Sequence, residues 1–107
     1  MQIGLFAFST DYSMPIDALA VAAEERGFDS IWLPEHTHIP VSRDTAYPGG
    51  GELPKAYSHT LDPFVALGIA AGVTSKLKLA TGVCLATEHQ ALTLAKTVAT
   101  LDHVSNG

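Results

Sequence analysis

Gly27-Phe28-Asp29-Ser30-Ile31-Trp32-Leu33-Pro34-Glu35-His36 is the stretch on which the fold turns. A glycine stops a helix, a short run of strand character follows, a proline cuts it, and two ionisable side chains come directly after. Gly27 suits the left-handed position that closes a helix, where a Cβ would be strained. Ser30-Ile31-Trp32-Leu33 is an apolar run bounded by turn signals, as expected of a strand in a parallel sheet. Trp32 alternates with Ile31 and Leu33 and reads as core.

Working outward, Ile3 to Phe8 is apolar on both faces apart from Gly4, the pattern of a strand buried on both sides. Ser13 and Pro15 open a helix, the first as its cap and the second pre-set for the first turn. Ile16, Leu19, Ala20 and Ala23 then recur at helical spacing up to the stop at Gly27. Downstream, Glu35 to His59 is rich in glycine and proline and reads as one long irregular connection, of the kind that is usually functional. Its Tyr47 and Tyr57 suit a wall over an aromatic or cyclic substrate. Asp62 and Pro63 restart a helix, as cap and first helical residue, that runs through Leu67 to about Thr74. Leu77 to Val83 forms a third strand. A last helix spans Gln90 to His103 with Ala91, Leu94, Ala95, Val98 and Leu101 on its apolar face, and Asn106-Gly107 stops it.

Three βα units in series argue for a parallel sheet. The turn after the first strand, Ser9 to Met14, holds no glycine, so a dinucleotide-binding fingerprint is absent. A (β/α)8 barrel needs eight strands and about 250 residues. The chain therefore reads as α/β, the amino-terminal (βα)3 sector of a TIM (β/α)8 barrel, cut before the fourth strand, with residues 1–107 a partial domain. An open third strand would offer unpaired backbone groups to a neighbour, so homo-oligomerisation is compatible with this reading.

Composition narrows the function. Of 107 residues, 47% are hydrophobic and 16% charged, enough to drive a packed core rather than disorder. A formal charge of −5 without a basic run argues against nucleic acid as a partner. No apolar stretch approaches the ~18–20 residues of a membrane span. The start lacks the positive n-region of a signal peptide, so a cytoplasmic location is expected. A soluble protein is the expectation that remains.

Glu35, His36 and His38 form the densest polar cluster, just past the second strand. In parallel α/β folds ligands bind outside the carboxyl ends of the strands, where an imidazole and a carboxylate can move protons or orient a substrate. Tying down the long loop is the alternative role. His36-x-His38 would suit a metal only with the first-strand histidines that such barrels carry, and none is present, so no metal is expected. Gly82 within the third strand marks a bulge or a close backbone approach. Cys84 is expected as a small buried hydrophobe, and His89 as a surface residue.

Taken together these runs resemble the luciferase-like flavin- and F420-dependent oxidoreductases. Gly27 to His36 is similar to that family's second-strand signature. His38-Ile39-Pro40 and Tyr47-Pro48-Gly49-Gly50 point to the F420-dependent branch. Leu77 to Val83 resembles the third strand, and Ala95 to Gly107 the helix leading to the fourth. The resemblance implies a (β/α)8 barrel that binds coenzyme F420, or FMN in the alternative, and transfers a hydride or activates oxygen. It implies that His36 moves the proton accompanying hydride transfer, with Glu35 orienting it or binding cofactor. It implies that Gly82 and Val83 back the ring, at a position where F420 enzymes often hold a non-prolyl cis peptide, and that Phe6 and Phe8 line the pocket. Family contacts to the phosphate tail come from segments after the fourth strand, so residues 1–107 alone are expected to be inactive. A non-catalytic half-barrel acting as an interaction module is the remaining alternative.

Overall fold

A computed structural model describes all residues 1–107. The elements follow in the order β1 (Gly4–Phe6), α1 (Ile16–Glu25), β2 (Ser30–Leu33), α2 (Ala56–His59), α3 (Pro63–Val73), β3 (Lys78–Thr81), a 3-10 turn (Ala86–Glu88) and α4 (Ala91–Ser105). The three strands make one parallel sheet in the order β1-β2-β3. Phe6, Trp32 and Ala80 stand side by side on one face, and Leu5, Ile31 and Leu79 on the other. The fold is thus mixed α/β, with each strand passing through helix to its parallel neighbour.

All the helices that cover the sheet do so from one side. Ile16, Ala20 and Ala23 of α1 and Ala66, Leu67 and Ala70 of α3 pack with Ile31, Leu33 and Leu77 into a single buried core. Small residues on both helices let their backbones come close to the sheet and to each other. α4 packs on α3, yet none of its residues is buried. Leu94 and Leu101 are half-covered, whereas Leu92 and Val98 of the same helix stand exposed.

The other face of the sheet is bare. Phe6 is 53% exposed and Trp32 42%, with the indole Nε1 donating to Ser30 Oγ at 2.8 Å. The expectations of a doubly buried first strand and of Trp32 as core are therefore corrected: both strands present one covered and one open face. Regular pairing is also shorter than the apolar runs suggest, although the ladder bonds continue beyond it. Ala7 N–H reaches Trp32 O at 3.0 Å, and Gly82 N–H reaches Leu33 O at 2.7 Å.

Local chemistry sets the ends of the helices. Gly27, at φ +79°, closes α1 with its own N–H on Glu24 O and the Phe28 N–H on Ala23 O, the two bonds of a Schellman stop. Ser13 does not cap α1. Pro15 occupies that position, and Ser13 sits too far upstream, where its hydroxyl bonds Thr10 N–H and O instead. Asp62 caps α3 by accepting from Val65 N–H at 2.8 Å, with Pro63 first in the helix. Asn106, at φ 63°, ends α4. The long connection is not wholly irregular, because α2 interrupts it.

At the amino-terminal end of the strands, Glu24 ties α1 to the turn before β3. Its carboxylate accepts from Ser75, Lys76 and Leu77 N–H at 2.6–3.2 Å. These backbone donors, chiefly that of Lys76, hold the Glu24 carboxyl below its ordinary value of 4.5. A single side chain on α1 thereby fixes the turn that starts β3.

Candidate active site

Past Leu33 the chain leaves the strand, and Glu35 and His36 part company. Glu35 follows Ile31 and Leu33 into the buried layer and is only 1% exposed. Its Oε2 accepts from Leu85 N–H and its Oε1 bonds His89 Nε2, both at 2.6 Å. His36 follows Trp32 to the open side. Its ring lies 6.2 Å from that of Phe8, nearly parallel, and 4.6 Å from that of Tyr57. Both Glu35 carboxylate oxygens are engaged across the sheet edge, with the segment that leads into α4, and neither bonds the His36 ring.

An aromatic wall is built around His36. Phe6 and Phe8 meet edge to face at 5.9 Å, as do Tyr47 and Tyr57 at 5.7 Å, and the Phe8 and Tyr57 rings lie tilted 5.2 Å apart. β1 and its extension supply the phenylalanines, the segment just after β2 the histidine, and α2 with the loop before it the tyrosines. Bonding to Tyr47 raises the Tyr57 phenol above its ordinary value, so it stays neutral across the physiological range. All these groups gather at the carboxyl ends of the parallel strands.

Gly82 belongs to the same wall. A Cβ there would collide with the Phe6 ring, so glycine at the end of β3 lets the ring of β1 lie across it. Val83 follows at the surface, 46% exposed. Every peptide bond is trans, that between Gly82 and Val83 included. A non-prolyl cis bond, which the resemblance implies here, costs about 3–4 kcal/mol.

His38 does not share a face with His36. It is exposed and lies beside Thr37, whose hydroxyl bonds it at 2.9 Å and also bonds Glu88. Two further residues differ from their expected settings. His89 is half-buried, because it answers the Glu35 carboxylate. Cys84 is exposed rather than core, because it falls in the connection after β3. Desolvation and then the neighbouring Glu35 carboxylate push its thiol upward. A separate clasp joins Asp11 to His59 Nδ1 at 2.9 Å, fastening the β1–α1 loop to α2.

The aromatic wall and His36 thus gather at the carboxyl ends of a parallel sheet, the end at which α/β folds of this kind bind ligands. The chain belongs to the luciferase-like monooxygenase family, whose family model it matches over residues 2–107. It is similar to uncharacterized proteins of Mycobacterium bovis and of two strains of Mycobacterium tuberculosis, each 50% identical over 110 residues that include 100% of this chain. The chain spans 39% of the length of these relatives. No helix is long and apolar enough to cross a membrane.

Proposed function

We propose that the protein is an F420-dependent oxidoreductase of the luciferase-like class, acting on a small organic substrate. We further propose that its barrel is completed by five more strands closing over the bare face of β1–β3. The observation that carries the reading is the wall of Phe6, Phe8, His36 and Tyr57 at the carboxyl ends of the strands. A planar ring finds flat apolar partners there, with the Phe6 ring seated over Gly82.

When bound, the deazaflavin gives or takes a hydride. The chain's own residues do the rest. Phe6 and Phe8 offer ring faces and exclude water from the open side of the sheet. His36, held between Phe8 and Tyr57 instead of by a carboxylate, is free to hold or release a proton at a ring nitrogen. Glu35 fixes the backbone that carries His36, by anchoring the adjoining residue to Leu85 N–H and His89. Tyr47 and Tyr57 form the wall against which the substrate lies.

Support for F420 over FMN comes from the sequence runs after β2, from His38-Ile39-Pro40 to Tyr47-Pro48-Gly49-Gly50. The test is a fluorescence titration of the full-length protein with each cofactor separately. Saturable binding of F420, with FMN much weaker, is the expected result. Preference for FMN would make the protein a flavin-dependent monooxygenase of the same family. Failure of both cofactors to bind would refute the oxidoreductase reading and favour an assembly role.

A further inference from the structure

We propose that Glu35, Cys84 and His89 form a site for a divalent transition metal of the zinc class, distinct from the aromatic wall around His36. The three side chains come from three segments: the residue after Pro34 at the end of β2, the connection after β3, and the residue two before α4. Their donor atoms all lie within 4.8 Å of one another. Glu35 Oε1 and His89 Nε2 are already 2.6 Å apart. The proposal stands on this convergence and does not depend on the choice of cofactor.

The chemistry of the donor set is specific. Carboxylate, thiolate and imidazole are each ligands of zinc, and three protein ligands with one open position is its usual catalytic arrangement. Bond lengths of about 2.0–2.3 Å in a tetrahedron set the donors roughly 3.3–3.8 Å apart. Entry of an ion therefore spreads the Glu35–His89 pair by about an ångström and draws the more distant donor inward by a similar amount, movements within reach of side-chain rotation. A carboxylate 99% removed from solvent gains more from a divalent ion than from neutral donors alone.

The surroundings of the ligands match the demand. Leu85 N–H holds Glu35 Oε2 at 2.6 Å, which leaves Oε1 on His89 Nε2. Such outer bonds orient ligands in metal sites. The Phe64 ring meets His89 edge-on at 6.0 Å and covers it on the α3 side. Exposed Cys84 leaves a path for the ion. On binding, the thiol proton and the proton shared between Glu35 and His89 pass to solvent, and no oxidation state changes. The consequence is a clamp on β2, β3 and α4 together, one residue from His36.

The test uses the full-length protein, stripped with a chelator and titrated with Co2+ as a spectroscopic probe for zinc. The expected result is a saturable one-to-one complex with a thiolate-to-cobalt charge-transfer band and the intense visible bands of a tetrahedral ion, both removed by Zn2+. Cys84→Ser, a surface change that leaves the fold intact by circular dichroism, abolishes the charge-transfer band. His89→Ala weakens binding by more than the about 10–100-fold that follows loss of an outer-shell partner. Absence of the band in the unaltered protein, or its survival in Cys84→Ser, would overturn the proposal. Cofactor titration of the same samples shows separately whether the oxidoreductase reading holds.

Discussion

On one face of the sheet, Ile31 and Leu33 lie fully buried beneath α1 and α3; on the other, Phe6 and Trp32 stand exposed and lead up to Phe8, His36 and Tyr57. The same three strands supply both. Alternation along a strand sends every second side chain to the opposite face, so one backbone supports a helix-covered core and, between its residues, an open row of aromatics. The core holds the chain together, and the row at the carboxyl ends is the site proposed for the chemistry. Glu35 and His36, adjacent in sequence, fall on opposite sides of this division.

The largest way to break the comparison is through the covered face. Leu67 is 1% exposed at the centre of the core. Leu67→Ala in the full-length protein is expected to cost about 2–5 kcal/mol, as large-to-small changes in cores do. Denaturant unfolding measures this, and the ratio of bound cofactor to folded protein should stay unchanged. A cost near zero would mean that α3 does not hold the sheet.

A smaller effect sharpens the same contrast at the far end of the sheet. Glu24 titrates below its ordinary value in the folded chain because three backbone donors stabilise its anion. The stability it contributes is complete above pH ~4.5 and is lost as the pH falls through the lower, folded value. Glu24→Gln should therefore lower the thermal midpoint at pH 7, while narrowing the difference between pH 7 and pH 3. Parallel shifts at both pH values would show that the carboxylate charge is not what fastens α1 to the start of β3.

Much of the covered half was legible in the residues themselves. The capping pair Asp62-Pro63, the stop at Gly27 and the run Ser30 to Leu33 are local signals, and the structure places each where local chemistry puts it. The open half was harder to read. Apolar runs on β1 and β2 do not reveal whether a second layer covers them, so Trp32 read as core although it lies on a bare face. The partnership of Glu35 with His89 spans 54 positions, and no local pattern announces it. Tyr57 was noticed as part of a loop, yet its place against His36 depends on α2, a four-residue helix too short for periodicity to show.

The partition of Glu35 and His36 is tested most directly by making Glu35→Gln and His36→Ala in the full-length protein and measuring thermal stability and turnover of each side by side. Glu35→Gln is expected to lower the thermal midpoint, since a buried polar group that loses its partner costs about 1–3 kcal/mol. His36→Ala is expected to keep that midpoint close to the unaltered protein's and to reduce turnover by about 10²–10⁴-fold, the usual contribution of a positioned acid–base group. The reverse pattern, with His36→Ala unfolding early at full activity and Glu35→Gln stable but inactive, would contradict the division of labour between the two faces.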